Sequence, residues 1–349
     1  MTTLIEFNLF NNIVGSKSPR YSKGYKYCSR CEEAFLINTK NCPRCGATLR
    51  TKPRRIKKNN IIENVCLRDG ILNCNGESER ILGKCLKNVK RDEVVIATKF
   101  SPTRVTEKGL RKALENSLKR LGTSYIDLYQ VHWPNPLIPI PKTMKILEKL
   151  WSEGKILSIG VSNFNLKQLI KARESLSKTD IVSNQVEYNM LKRNIEKSMI
   201  EYCLREKVTI IAYSPLVQGA LTGRYTRTNK PRDLVRKSNP YFTSRKLESI
   251  KPLLEALREI AEKRGKTITQ IVLNWMLRWE NTVPIPGVKR VEHVLDIAGA
   301  MDFRLNDIEL KILEEKLHES RSTNPSKLRH GIQLPRNYLS MIFYEKRED

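Results

Sequence analysis

The chain has 349 residues, of which 40% are hydrophobic, so it can form one large domain and a small one around a sizeable core. No apolar run approaches the ~20 residues that a membrane span requires, and the first residues lack the pattern of a signal peptide. Four of the eight cysteines follow no regular spacing, which disfavours a disulfide scaffold. We therefore expect a cytoplasmic protein with no membrane partner.

The net charge is strongly positive, at +27. The first 60 residues contain 13 of the Lys and Arg residues but only three of the Asp and Glu residues. Such an excess favours anionic partners, among them nucleic acid, phosphorylated cofactors and acidic surfaces. For the rest of the chain, a solvated lysine-rich surface is the simpler interpretation.

Two Cys-x-x-Cys pairs, ten residues apart, mark the N-terminal region: Cys28 with Cys31, and Cys42 with Cys45. Each pair makes a tight turn that directs two thiolates to one point, and two such turns supply a tetrahedral zinc site. The pattern resembles a zinc ribbon, so residues 1–48 are predicted to form a small module stabilised by zinc. Four unrelated buried or redox-active cysteines are the alternative.

Residues 49–60, with the sequence LRTKPRRIKKNN, are basic and show neither helical nor alternating periodicity. We interpret them as a linker. Lys and Arg residues on such an arm also contact phosphates without reading sequence, so nucleic acid is a candidate partner of the basic N-terminal region.

From residue 94 the chain alternates between short apolar runs and amphipathic helical stretches. The runs predicted as buried strands are VVIAT (94–98), IDLYQV (126–131), ILSIGV (156–161), IVSNQV (181–186), TIIAY (209–213) and VPI (283–285). The predicted helices include EKGLRKALENSLKRLG, TMKILEKLWSEG, NLKQLIKARESL and NIEKSMIEYCLREK. This alternation predicts an α/β fold with a parallel sheet, and its regularity favours a TIM-type (β/α)8 barrel with functional residues at the carboxyl ends of its strands.

Five segments carry a specific resemblance: SLKRLGTSYIDLYQVHWPNP, GKILSIGVSNFN, NQVEYNML, IAYSPLVQGALTGRY and VPIPGVKRVEHV. In their order and spacing they resemble the aldo-keto reductase family, over roughly residues 71–318. The resemblance implies an eight-stranded barrel that binds NADP(H) without a Rossmann domain, and a small carbonyl compound as the substrate. The sequence agrees in having no G-x-G-x-x-G motif after a strand.

The resemblance also implies a set of catalytic positions. In this family a tyrosine donates a proton, a lysine paired with an aspartate lowers the pKa of that tyrosine, and a histidine orients the carbonyl. Lys99 and His132 match the lysine and the histidine, each at the end of a predicted strand. Aligned on the segment GESE (76–79), however, the tyrosine position is Asn73 and the aspartate position is Arg68. Asn73 has no proton to give at a useful pKa, and Arg68 places a positive charge where an anion would pair with Lys99.

A cofactor site is implied in the same way. The matching residues are Ser162, Asn163 and Gln185 for the nicotinamide amide, Tyr213 for the stacking ring, Ser214, Leu216 and Gly219 for the pyrophosphate loop, and Lys289, Arg290, His293 and Asp296 for the adenosine side. The two adjacent basic residues of the adenosine side favour NADP over NAD.

Upstream of the family motif, this chain has the cysteine pairs and the linker in place of the family's hairpin, first strand and first helix. Only VCL (65–67) resembles a barrel strand there. Residues 61–320 are therefore predicted to form a barrel that is incomplete at its N-terminal end, with about seven strands. Residues 321–349 are predicted to be a tail. A gene fusion and a gene-model error are both consistent with this arrangement.

Three functions stay open at this point. The first is an NADPH-dependent carbonyl reductase, impaired by the replaced tyrosine and aspartate, that uses another acid such as His132 or water. The second is a non-catalytic barrel that binds NADPH. The third is a zinc-ribbon protein associated with nucleic acid or with the ribosome.

Overall fold

The computed structural model describes residues 26–28, 33–35, 41, 76–87, 89–104, 106–288 and 290–322. Strand β1 (Lys26–Cys28) pairs antiparallel with β2 (Glu33–Phe35), with Cys28 opposite Glu33. Outside the described residues lie Cys31, Cys42, Cys45, Arg68, Asn73 and Lys289. The predicted linker, the predicted strand at 65–67 and nearly all of the predicted tail lie outside them as well.

Six parallel strands form the centre of the fold, and their order in the sheet is their order in the chain. They are β3 (Ala97–Phe100), β4 (Ile126–Val131), β5 (Ile156–Ser162), β6 (Ile181–Glu187), β7 (Thr209–Tyr213) and β8 (Thr282–Ile285). The predicted parallel α/β sheet is thereby confirmed, and β4 and β7 have the predicted bounds. Sequential parallel strands with helical connections are the arrangement of a TIM-barrel-type fold, in which β3 and β8 are the end strands of the described sheet.

Helix α1 (Glu77–Leu86) precedes β3, and the later helices are α2 (Glu107–Leu121), α3 (Ile140–Ser152), α4 (Leu166–Glu174), α5 (Met199–Arg205), α6 (Leu234–Lys237), α7 (Ser244–Ser249), α8 (Lys251–Arg264), α9 (Ile268–Met276), α10 (Val291–Ala298) and α11 (Asp307–Ser322). Local sequence sets their ends. Thr106 caps α2 by accepting from the backbone N of Gly109, and Gly122 ends that helix with a φ of 65°. No helix in the described part of the chain is both long enough and apolar enough to cross a membrane.

The two faces of the sheet pack into different apolar clusters. On β4, Tyr129 and Val131 join the core beneath the surrounding helices, whereas Leu128 points to the other face. That second cluster contains Val95, Ala97, Leu128, Val182, Ile211, Val283 and Ile285. Because residues of the first strand, β3, and the last strand, β8, share one cluster, the sheet curls around it as a barrel interior requires.

The start of β3 differs from the predicted strand at 94–98. The backbone N of Ile96 donates to the carboxylate of Asp127 at 2.8 Å, and Asp127 forms a buried ion pair with Arg91. The N–H of Ile96 is thereby bonded to a side chain and not to the backbone of a neighbouring strand. The strand therefore begins at Ala97 and continues to Phe100.

Helix α1 carries part of the GESE segment, and the structure gives that part a packing role. Glu79 accepts hydrogen bonds from Oγ1 of Thr98 in β3 and from Nε of Arg120 in α2, both at 2.6 Å. Gly83 lies so close to α2 that an added Cβ would overlap the carbonyl oxygen of Arg120. These contacts dock α1 against the sheet and against α2, and the close approach at position 83 leaves room only for glycine.

Candidate active site

Five of the predicted site residues meet at one edge of the sheet. Lys99, Ser162, Gln185 and Tyr213 lie in the last three residues of β3, β5, β6 and β7, and His132 follows β4 directly. Because the carboxyl ends of parallel strands face the same way, these side chains lie close together. Hydrogen bonds join them into one group, as follows.

Lys99 contacts an amide. Its Nζ donates to Oε1 of Gln185 at 2.9 Å, and within the described residues this is the one hydrogen bond or ion pair of the ammonium group. Burial lowers the pKa of Lys99 to about 8, because the charged form loses hydration among the strand ends. Lys99 therefore gives up its proton more readily than a surface lysine.

His132 is held in place through its backbone. Its N donates to the carbonyl of Phe100 at 3.2 Å, and its carbonyl accepts from Nδ2 of Asn163 at 3.1 Å. Burial, and then the positive charge of Lys99, lower the pKa of His132 to about 3. The imidazole is therefore neutral near pH 7. A neutral imidazole can donate a hydrogen bond to a substrate or accept one from it. Because it is a poor acid, however, the low pKa argues against the hypothesis that His132 is the proton donor.

Four polar residues interlock at the ends of β5, β6 and β7. The backbone carbonyl of Gln185 accepts from Oγ of Ser162 at 2.9 Å and from the backbone N of Asn163 at 2.8 Å. The side chain of Asn163 donates to Oγ of Ser162 at 3.2 Å and accepts from the hydroxyl of Tyr213 at 3.0 Å. Asn163 has a φ of 61°, a left-handed conformation that asparagine adopts more readily than most residues. The side chains of Ser162, Asn163 and Tyr213 and the backbone of Gln185 thus hold one another in place.

The loop after β7 has an unusual backbone. Ser214, Val217, Gln218 and Gly219 all have positive φ, at 56°, 51°, 53° and 99°. Such strain costs ~1–3 kcal/mol per residue other than glycine, and it collects where a ligand or a surrounding scaffold requires it. The family resemblance identified Ser214, Leu216 and Gly219, but sequence reasoning missed the left-handed run because most of its residues are not glycine.

The predicted adenosine-side residues form a separate group at helix α10. Arg290 precedes the helix and is exposed, with its Nη2 3.2 Å from Nε2 of His293. Asp296 accepts a hydrogen bond from Oγ1 of Thr267 at 2.7 Å, so its carboxylate is engaged by the start of α9. Lys289 lies outside the described residues. In the described part of the chain, no hydrogen bond joins this group to the strand-end residues.

One charged pair at the strand ends was not predicted. Glu187 is the last residue of β6 and forms an ion pair with Lys192. Burial and, secondly, the charge of Glu187 raise the pKa of Tyr213, which stays protonated at neutral pH. The site therefore contains a carboxylate, although not at the position of the family's aspartate. In the sequence, Glu187 lies in the segment NQVEYNML, and this segment could have indicated a carboxylate at the end of the strand.

The zinc prediction is not tested by these residues. Within the described part of the chain, no group of three or more His, Cys, Asp or Glu side chains is placed to hold a metal ion. Three of the four predicted ligands lie outside that part, and Cys28 is described only as the last residue of β1. Zinc binding stays a prediction.

Comparison with known proteins gives the family. The sequence profile of the Aldo/keto reductase family matches residues 74–318, which is most of the chain. The chain belongs to the aldo/keto reductase family. The match begins one residue after Asn73, so the two departures predicted at Arg68 and Asn73 lie outside the matched range.

Curated relatives of this aldo/keto reductase include a plant and a bacterial enzyme. The chloroplastic pyridoxal reductase of Arabidopsis thaliana is 36% identical over 259 residues, which are 70% of this chain and 70% of that protein. The aldo-keto reductase YhdN of Bacillus subtilis is 37% identical over 214 residues, which are 58% of this chain and 63% of that protein. The chain thus spans less than two thirds of the length of the Bacillus relative.

A solved structure agrees in three dimensions. An aldo/keto reductase from Klebsiella pneumoniae, in complex with NADP and acetate, superposes with a TM-score of 0.58 at 29% identity, over 70% of this chain and 77% of that one. The TM-score supports the family's TIM-barrel-type fold for this aldo/keto reductase. As a member of the family, the chain is an aldo-keto reductase-like oxidoreductase.

Proposed function

We propose that this aldo/keto reductase binds NADP(H) and reduces small aldehydes or ketones, at a rate lowered by the replaced tyrosine and aspartate. The observation that carries the proposal is the interlocked set of Ser162, Asn163, Gln185 and Tyr213 at the strand ends, with Lys99 bonded to it. The complex of the Klebsiella relative with NADP supports the choice of cofactor.

The interlocked set fits a nicotinamide ring and its carboxamide. Within the described residues, Nε2 of Gln185 makes no hydrogen bond, so it is available to the carboxamide oxygen. The ring of Tyr213 ends β7 and offers a flat face for stacking. Because the set is already fixed by its own hydrogen bonds, ordering it on binding costs little conformational entropy.

The remaining residues fit the phosphates. The resemblance assigns the loop at 214–219, with its left-handed backbone, to the pyrophosphate; the N–H groups of Val217 and Gly219 already donate to carbonyls within the loop, so the pyrophosphate would use the other N–H groups of the loop. The guanidinium of Arg290 is exposed at the start of α10, where it suits the 2′-phosphate that distinguishes NADP from NAD. Lys289, His293 and Asp296 complete the predicted adenosine side.

The chemistry requires a hydride and a proton. NADPH, when bound, would supply the hydride, and negative charge would then develop on the carbonyl oxygen. Neutral His132 is placed to orient that oxygen through a hydrogen bond. A general acid typically contributes ~10²–10⁴-fold to the rate, so a chain with Asn73 at the tyrosine position is expected to be slow.

Two measurements on the full chain test this function. Calorimetric titration gives the Kd for NADPH, and absorbance follows the oxidation of NADPH with a panel of aldehydes and ketones. We expect binding with slow turnover, and weaker binding in Gln185→Leu because the carboxamide contact is removed. Binding without turnover would favour the non-catalytic barrel. No binding at millimolar NADPH would contradict both functions.

We also propose a structural zinc bound by Cys28, Cys31, Cys42 and Cys45. Supporting it, β1 and β2 pair antiparallel, and β1 ends at Cys28, the first residue of a Cys-x-x-Cys sequence. Elemental analysis should find one zinc per chain, lost in Cys42→Ser. Less than half an equivalent in the wild-type protein would contradict the proposal. Nucleic-acid binding by the basic N-terminal region stays a prediction that salt-dependent RNA binding would test.

A further inference from the structure

Lys99 is held by a neutral partner. Its ammonium donates to Oε1 of Gln185, and within the described residues no carboxylate pairs with it. At the position of the family's aspartate the sequence has Arg68, so it offers no anion there. A neutral amide stabilises the ammonium less than a carboxylate would, so within the described residues no anion holds Lys99 in its charged form.

The amine also lies beside the place where the reaction is proposed to occur. Gln185 is one of the residues assigned above to the nicotinamide carboxamide, and Lys99 is one hydrogen bond from it. Strand β3, which carries Lys99, pairs with β4, which His132 follows. A carbonyl oriented by His132 and facing the nicotinamide would have its oxygen within reach of both side chains.

We propose that Lys99 itself donates the proton to the carbonyl oxygen. The proposal rests on the reductase function proposed above. In this step the hydride forms the new C–H bond, the electron pair of the C=O π bond moves to oxygen, and the oxygen takes a proton from the Lys99 ammonium. The products are an alcohol, NADP⁺ and a neutral Lys99 amine, which solvent protonates again.

The charged and titratable groups at this edge are compatible with that role. The described groups that face it with Lys99 are His132, Tyr213 and Glu187. His132 is neutral and Tyr213 is protonated near pH 7, whereas Glu187 is compensated by Lys192. With a pKa of about 8, Lys99 is still mostly protonated at neutral pH, and a general acid works best when its pKa lies near the operating pH.

Single-turnover reduction of an aldehyde by the full chain, saturated with NADPH, tests the proposal. Lys99→Met should lower the rate by ~10²–10⁴-fold while NADPH still binds. Lys99→Arg should stay slow, because a guanidinium does not give up its proton. Lys112→Met, at an exposed lysine of α2, is the matched control and should react at the wild-type rate.

The pH profile identifies which group titrates. If Lys99 is the donor, the wild-type rate should fall as the pH rises through about 8, where the ammonium loses its proton. If His132 were the donor, the fall would occur near pH 3, where its imidazolium deprotonates. Each variant is measured with its NADPH affinity, so that lost binding is not taken for lost proton transfer.

Chemical rescue separates proton donation from a structural role. Small primary ammonium ions, added to Lys99→Ala, should restore turnover, and the more acidic ions should restore more, as Brønsted behaviour requires. A variant that had only lost packing would not respond to the acidity of the added ion.

Each outcome decides between the two proposals. A Lys99→Met variant that reacts at the wild-type rate overturns the role of Lys99 and leaves the reductase function intact. A slow variant that binds NADPH but responds to no ammonium ion also overturns it. A wild-type protein that binds NADPH and reduces no carbonyl compound contradicts the reductase function itself, and the inference falls with it.

Discussion

The two ends of the predicted cofactor site are built differently. At the nicotinamide end, Ser162 and Gln185 are buried, Tyr213 is half-buried and Asn163 is exposed, and the four are bonded to one another across three strands. At the adenosine end, Arg290 is exposed and, within the described residues, contacts only His293 one turn further along. The reactive end is therefore arranged before the ligand binds, whereas the other end still has to be ordered by the ligand.

The scaffold beneath each end explains this difference. The nicotinamide end stands on β5–β7, whose side chains are almost all buried, and a site on rigid elements keeps its geometry. The adenosine end stands on α10, which has no buried residue and exposes Val291 and Leu295. The first end should thus contribute directional hydrogen bonds, and the second should contribute mainly charge, which salt screens.

Removing Asn163 should have the largest effect. Asn163→Ala loses hydrogen bonds to Ser162, Tyr213 and the carbonyl of His132. These bonds order the set before NADPH binds, so only part of their ~1 kcal/mol each, and of the strain of alanine at this φ, appears in binding; we expect the affinity for NADPH to fall by about 10²-fold. Calorimetric titration measures this. Asn163→Gly loses the same bonds without the strain, so its loss of binding free energy should be smaller by about 1 kcal/mol. If both variants bind NADPH as tightly as the wild type, the set does not bind the cofactor.

The strands and their end residues were predictable because each signal is local. β4 and β7 are apolar runs with clear boundaries, and their end residues follow at once in the chain. The edge at which Lys99, Gln185 and Tyr213 meet then follows from parallel order alone. The family resemblance identified these residues in the sequence, and the parallel order of the strands explains why they lie together.

Other features were not predictable because they depend on contacts between distant residues. The true start of β3 depends on Asp127 accepting from Ile96, 31 residues away. The helix predicted at 194–207 is broken at Ser198, which separates a 3₁₀ turn (Asn194–Lys197) from α5. The amide partner of Lys99 comes from a strand 86 residues further along. Local periodicity carries no information about any of these.

Arg290→Ala should have the next largest effect, and it should act on NADPH alone. A hydrogen bond to a charged group contributes ~1.5–3 kcal/mol, and exposure puts Arg290 at the low end, so we expect about tenfold weaker NADPH binding and unchanged NADH binding. The loss should shrink at high salt. Arg205→Ala, at an exposed arginine of α5, is the matched control. Equal losses for both cofactors would place Arg290 away from the 2′-phosphate.

Replacing Lys99 should have a smaller effect, on the way the free energy of unfolding changes with pH. Its pKa is about 8 in the folded chain and near the ordinary 10.5 in the unfolded chain. Between these values the unfolded chain binds more protons, so the free energy of unfolding of the wild type should rise with pH relative to Lys99→Met. Because the half-buried ammonium keeps part of its hydration, we expect this relative rise in the free energy of unfolding to be about 1 kcal/mol. Denaturant unfolding at pH 7 and pH 10 measures it, and parallel curves for the two proteins would contradict it.

Asp296→Asn should have the smallest effect, although the resemblance assigns Asp296 to the cofactor. Its carboxylate already accepts from Oγ1 of Thr267, and an asparagine oxygen can accept the same hydrogen bond, so we expect less than about 0.5 kcal/mol in unfolding and in NADPH binding. A tenfold weaker Kd would instead mean that Asp296 leaves Thr267 to contact the ligand. Thr267→Val distinguishes the two cases: it should strengthen NADPH binding if the carboxylate must be released, and leave it unchanged if Asp296 only joins α10 to α9. Thr267→Val also removes the N-cap of α9, so the free energy of unfolding of this variant should be measured as well. A loss of stability is then not mistaken for an effect on binding.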